Sequence, residues 1–105
     1  MFMPEEIINT YSGIRTPEGI FVNADCTPLD KARDVIDHSV DFNWGYNGSG
    51  PAQLALAIMV HEYGKDLSTH PIHYQEFKSK IIAQFDENYF EVNSFTIREF
   101  IKNNS

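Results

Sequence analysis

Between Pro51 and Tyr63 the chain reads Pro-Ala-Gln-Leu-Ala-Leu-Ala-Ile-Met-Val-His-Glu-Tyr, with an unbroken apolar stretch from Leu54 to Val60. At helical pitch those residues cover every side of the cylinder. A helix that is apolar all round holds in water only if other elements enclose it. The rest of the chain must therefore supply at least two layers around this one segment. The apolar stretch is far shorter than the ~20 residues needed to cross a bilayer, so the segment reads as a core helix and no membrane contact is expected. Asn47-Gly48-Ser49-Gly50 before it is a turn, Pro51 suits the first helical position, and Gly64 suits the C-cap.

The covering elements are legible on both sides. Tyr11-Ser12-Gly13-Ile14-Arg15 and Ile20-Phe21-Val22 flank Thr16-Pro17-Glu18-Gly19, the pattern of two short strands joined by a tight turn. The stretch from Met1 to Thr10 reads as a short arm or an edge strand. Tyr74, Phe77, Ile81, Ile82 and Phe85 recur at helical spacing, with Gln75, Glu76, Lys78, Lys80 and Gln84 on the wet side. Pro71 marks where that helix is expected to start. Tyr89-Phe90-Glu91-Val92 reads as a strand. Asn93-Ser94 offers caps for a last helix with Ile97, Phe100 and Ile101 inward.

The middle is less regular. Thr27-Pro28 resembles a helix start, and Leu29, Ala32, Ile36 and Val40 would share a face. Asp30, Asp34, Asp37 and Asp41 would fall on the neighbouring face, where like charges weaken a helix. Either a helix or one turn running into a loop fits this stretch. Asp41-Phe42-Asn43-Trp44-Gly45-Tyr46 alternates polar and aromatic residues like a strand. The whole is expected to be one α+β domain over residues 1–105. A small N-terminal antiparallel hairpin or sheet would pack on the central buried helix, with two or three further helices.

Composition excludes several function classes. The formal net charge is −7, a field that repels phosphate backbones, and ordinary nucleic-acid binding needs a basic footprint. The charge suits a solvated surface or docking on a basic surface of another macromolecule. The lone cysteine, Cys26, makes no disulfide within the chain. Nor does the segment Met1-Phe2-Met3-Pro4-Glu5-Glu6 have the basic start and apolar run of a secretory signal. A cytoplasmic protein is the expectation.

Four groupings could carry chemistry. Gly48-Ser49-Gly50 opens a helix, whose free N–H groups and positive dipole end attract anions. Gln53 in the first turn, and Trp44 and Tyr46 just before it, could join such a site by hydrogen bonding and stacking. The pattern is neither of the established glycine-rich phosphate loops, and Pro51 removes one donor. The same residues also describe a tight strand-to-helix turn with aromatics packed beside it, the reading such a pattern more often has. Asp30, Asp34, Asp37 and Asp41 form an acidic stripe suited to docking a basic partner, or simply a solvated face. His61, His70 and His73 could meet at one helix corner. No H-E-x-x-H motif exists, because Lys65 stands where its second histidine belongs, so no metal site is expected. His38 lies beside Ser39 and between Asp37 and Asp41, yet no nucleophile elbow accompanies it. A buried histidine bonded to a backbone carbonyl fits as well. Cys26 follows Asp25, whose charge disfavours a reactive thiolate. No catalytic residue and no cofactor is assigned.

The block Phe42-Asn43-Trp44-Gly45-Tyr46-Asn47-Gly48-Ser49-Gly50-Pro51-Ala52-Gln53-Leu54-Ala55-Leu56-Ala57 resembles the core of a family of small uncharacterised proteins from phages, plasmids, bacteria and archaea. Its members share F-x-W-G-Y-G-G-S-G-P-A-Q-L-A-L-A, often after His-Ser-Pro. Here His38-Ser39 is followed by Val40 in place of Pro, and Asn47 stands where Gly is common. The order of a Tyr-x-Gly strand, a Tyr-x-x-Phe-Lys helix and a short final helix also matches. The resemblance implies a mobile-element setting and no particular activity. On these grounds the expected function is that of a non-catalytic acidic binding protein that docks on a host protein in the host cytoplasm. One concrete version is an inhibitor of a basic, nucleic-acid-binding defence complex. The alternative is a small-ligand binder holding a phosphate or nucleotide at Gly48-Ser49-Gly50. A homodimer is compatible with either.

Overall fold

A computed structural model describes residues 8–104, and the expected arm before Ile8 lies outside them. The elements run β1 (Thr10–Thr16), β2 (Gly19–Ala24), β3 (Thr27–Pro28), α1 (Ser49–Tyr63), α2 (Tyr74–Lys80), β4 (Tyr89–Asn93) and α3 (Ser94–Asn103). Short 3-10 turns at Leu67–Thr69 and Ile82–Gln84 flank α2. The strands form one antiparallel sheet in the order β3-β2-β1-β4. The α+β class, the hairpin, the buried helix and the final strand–helix pair are all present. The sheet is larger than the N-terminal hairpin, because β4 returns from the C-terminal third to pair with β1. No described helix is long and apolar enough to cross a membrane.

Register sorts the strand residues into two faces. Directly opposed pairs place Ala24, Tyr11 and Val92 in one row and Val22, Gly13 and Phe90 in the next. All six are buried, and the five with side chains join the core cluster formed with Leu54–Met59 of α1. Every residue of α1 from Gly50 to Met59 is buried, as its all-round apolar sequence requires. The helix is enclosed by the inner face of the sheet, by α2 through Tyr74 and Phe77, and by the segment between β3 and α1 through Leu29, Ala32, Phe42 and Trp44. Each large apolar side chain removed from water in this way contributes roughly 1.5–3 kcal/mol.

Gly13 shows how tightly the inner row is packed. A Cβ built on it would lie 2.3 Å from the Phe90 ring. That ring stacks on Phe85 at 4.8 Å and meets Trp44 edge-on at 4.8 Å, so it has nowhere to retreat. Gly13→Ala should therefore destabilise the fold by about 1–3 kcal/mol through overpacking, read as a lowered midpoint in urea with unchanged slope.

The segment between β3 and α1 follows the second of the two sequence expectations, one turn running into a loop, and not the helix. Thr27-Pro28 does not open a helix but forms β3 beside β2. Ala32 takes a left-handed conformation at φ 56°, and Asp30 Oδ1 accepts its N–H at 2.7 Å. One turn follows, with Val35 and Ile36 donating to the Ala32 carbonyl, and the chain then runs as a loop to α1. The alternating stretch Asp41–Tyr46 pairs with no strand. The amphipathic helix is also shorter than its periodicity implies. It starts at Tyr74, capped by His73 Nδ1, and ends at Lys80, with Ile82 buried in the turn beyond.

Candidate functional site

The residues proposed from sequence as a ligand site separate into two sets. Trp44 and Gln53 are fully buried. Trp44 donates Nε1–H to the Glu87 carbonyl at 2.8 Å and carries the Arg15 guanidinium 4.7 Å above its ring, so no face is open for stacking on a ligand. Gln53 reaches away from the helix start. Its Oε1 accepts the N–H groups of His38 and Ser39 at 2.6 and 3.1 Å, and its Nε2 donates to the carbonyls of Lys31 and Ile36 at 2.6 and 3.0 Å. One buried amide thus ties the first half of the irregular segment, Lys31 to Ser39, to α1, with its hydrogen-bonding capacity used up.

The rest of that grouping lies at the helix start. Gly48 is the N-cap residue in an extended conformation, which shifts the start of α1 two residues ahead of Pro51. No side chain caps this end, and Ser49 is exposed. The glycines have a packing reason. A Cβ on Gly48 would sit 2.6 Å from the Tyr46 ring, and one on Gly50 would sit 2.8 Å from Asn43 Cβ. Tyr46, Ser49 and the backbone of Gly48 are what this grouping presents to solvent.

The acidic residues do not line one helix face, since no helix forms there. Three of them have cationic partners. Lys65 Nζ meets Asp34 at 2.6 Å, Arg33 forms a two-pronged pair with Asp37 at 2.9 and 3.1 Å, and Lys31 lies 3.7 Å from Asp41. The hydrogen bonds from Lys65 and Arg33 hold the Asp34 and Asp37 carboxyls below the usual carboxylate range. Asp30 keeps one oxygen for Ala32 N–H. With three cations among four carboxylates, this stretch projects a weaker field than its aspartates alone would.

The histidines each have a separate local partner. His70 Nε2 lies 2.8 Å from the Gly64 carbonyl oxygen, His73 caps α2, and His61 Nδ1 lies 2.8 Å from Tyr11 Oη. Among the described residues no three His, Cys, Asp or Glu side chains converge as metal ligands would. His38 is half-buried and bonds Tyr74 Oη at 2.7 Å, not a backbone carbonyl. Ser39 turns its hydroxyl to Asp41 N–H at 3.2 Å. Cys26 is exposed.

One polar cluster was not visible in the sequence. Glu62 Oε2, at the end of α1, accepts from Tyr11 Oη at 2.5 Å, Ser94 Oγ at 2.7 Å and Asn9 Nδ2 at 2.9 Å. It joins the start of β1, the end of α1 and the start of α3. Burial and the neighbouring carboxylate push the Tyr11 hydroxyl far above its ordinary pKa, so it stays a donor.

A surface was also missed. On the solvent face of the sheet, Ile14 stands directly opposite Phe21 on one side and Tyr89 on the other. The three are 45, 54 and 52% exposed, a continuous apolar row across three strands. Glu18 lies in the hairpin turn at that end of the sheet, Asp86 and Glu87 precede β4, and Glu91 stands on β4. None of these four carboxylates is in an ion pair among the described residues. The Phe21–Ile14 half follows from a two-residue turn and strict alternation. Tyr89 joins only once β4 has paired with β1.

No curated protein and no solved structure is detectably similar to this chain. A family model does match over residues 11–103, from the first strand to the last helix, and the chain belongs to that family, a family of unknown function designated DUF6166.

Proposed function

We propose that this protein is a non-catalytic docking module whose open sheet face binds a basic surface of another protein. The observation that carries this reading is the cross-strand row Phe21–Ile14–Tyr89, left in water and edged by carboxylates that have no cationic partner among the described residues, Glu91 taking only the Tyr89 hydroxyl at 2.8 Å. Aromatic side chains of this kind are the usual energetic anchors of interfaces. An acidic rim selects a cationic partner and speeds encounter with it. A net charge of −7 on each copy opposes covering this face with a second copy of the chain. The mobile-element setting implied by the sequence resemblance makes a host protein the partner. A defence complex with a basic nucleic-acid channel has the matching chemistry. The paired aspartates Asp34, Asp37 and Asp41 add to the overall field but offer fewer free carboxylates than the sheet rim does.

The test is affinity capture from host cells with the wild type and with Phe21→Ser/Tyr89→Ser. Both side chains point to solvent, so the thermal midpoint should stay within a few degrees. The captured partner should be lost, with binding weakened by about 2 kcal/mol or more, and wild-type binding should fall as salt is raised. A folded double variant that retains the partner would overturn the sheet-face reading. In that case Asp34→Lys/Asp37→Lys becomes the decisive comparison.

A further inference from the structure

In the helix layer, away from the open face of the sheet, a half-open recess of about 180 Å³ lies between the loop after β3 and the C-terminal half of α1. Leu29, Ala32, Ala57 and Val60 form its apolar floor, and Asp30, His61 and Lys65 stand around it. The size is that of one side chain or small ring, since an apolar cavity of roughly 150 Å³ accommodates benzene.

Proton inventory at the rim defines what the recess can bond. The single hydroxyl proton of Tyr11 is donated to Glu62, whose Oε2 already receives Ser94 and Asn9. His61 Nδ1, 2.8 Å from the same phenolic oxygen, must then be the donor to it. A neutral His61 is thereby fixed in the Nδ1–H tautomer, and Nε2 is its remaining acceptor. Asp30 spends Oδ1 on Ala32 N–H, while Oδ2 has no partner among the described residues. Lys65 is held by Asp34 at 2.6 Å, and Asp30 acts on it as well. Two carboxylates against one ammonium leave the rim acidic; Lys65 keeps two further N–H groups beside those carboxylates, and the uncommitted acceptors are Asp30 Oδ2 and His61 Nε2.

From this we infer that the recess binds a cation carried on an apolar stem, an alkylguanidinium or alkylammonium group. The stem lies on Leu29, Ala57 and Val60, and the head donates to Asp30 Oδ2 and His61 Nε2. Anionic and donor-less ligands leave both acceptors unmet. The site is independent of the sheet-face reading and can be tested without any protein partner.

The experiment is titration of the isotope-labelled full chain with n-butylguanidinium, n-butylammonium, 1-butanol and butyrate, followed by amide and imidazole NMR shifts. Saturable shifts at Ala57, Val60 and His61 are expected for the cations, with affinity about tenfold above that for the alcohol. Asp30→Asn keeps an acceptor for Ala32 N–H and should erase that tenfold preference. Free arginine and its N-acetyl amide then distinguish a metabolite from a peptide side chain as the source. Equal affinity for butanol, preference for butyrate, an unaltered preference in Asp30→Asn, or no saturable shift at millimolar concentration would each overturn the assignment. Loss of partner capture in the sheet-row variant bears on the other surface only.

Discussion

Leu56→Asp should leave the chain without a cooperative thermal transition. Leu56 is fully enclosed at the middle of α1, with Leu54, Ala55, Ala57 and Ile58 also out of water. Among the described residues nearby there is no cation in the core cluster to meet a new carboxylate. The variant loses the ~2–3 kcal/mol of a buried leucine and adds the cost of a buried polar group without partners, several kcal/mol even when protonated. Domain stabilities are typically about 5–15 kcal/mol, so the sum consumes most or all of it. Near-ultraviolet circular dichroism and a thermal melt give the answer. A sharp transition near the wild-type temperature would mean that α1 is not the centre of the core.

Gln53→Leu should be the second most damaging single change, although it keeps the side chain's approximate size and adds apolar surface. It removes four hydrogen bonds at once, to Lys31, Ile36, His38 and Ser39. Each orphaned backbone group that cannot reach water costs about 1–3 kcal/mol. Part of the segment can lift into solvent, so a total of about 3–5 kcal/mol is expected. The signature is local as well as global. Amide exchange at His38 and Ser39 should accelerate more than exchange at Phe90 or Val92. Gln53→Glu should also be destabilised, because a carboxylate faces two carbonyl oxygens where an NH₂ group stood. If Gln53→Leu melted like the wild type, the irregular segment would owe its shape to Leu29, Phe42 and Trp44 packing alone.

The segment tied by Gln53 is where helical periodicity and structure part. Leu29, Ala32, Ile36 and Val40 have helical spacing, and two of them, Leu29 and Ala32, are buried as that pattern implies. Val40 is 58% exposed, because the backbone turns away from the helical path at Ala32 and is then held by hydrogen bonds to a residue in another element. Local periodicity carries no information about a distant amide. The same holds for Trp44. Its position beside glycines allowed either stacking on a ligand or packing beside the turn, and it packs: Phe90 and Arg15 arrive from the sheet and close both approaches. The acidic stripe likewise depended on a helix that does not form, and Lys65 reaches Asp34 from beyond the end of α1.

What the sequence determined by itself is the set of elements whose signals lie within a few residues of one another. The buried helix follows from an apolar run that no exposed helix could carry. The hairpin follows from a two-residue turn between alternating strands, and the final strand and helix from alternation followed by an Asn cap, which indeed accepts from Thr96 N–H. The tertiary structure decided which surfaces exist. It placed β4 beside β1 and so completed the exposed row Phe21–Ile14–Tyr89. It used Gln53 and Trp44 as interior fasteners, and it brought Tyr11 to His61 and Glu62. Those outcomes rest on hydrogen bonds and ring contacts between residues far apart in the chain, and only the packed fold sets their geometry.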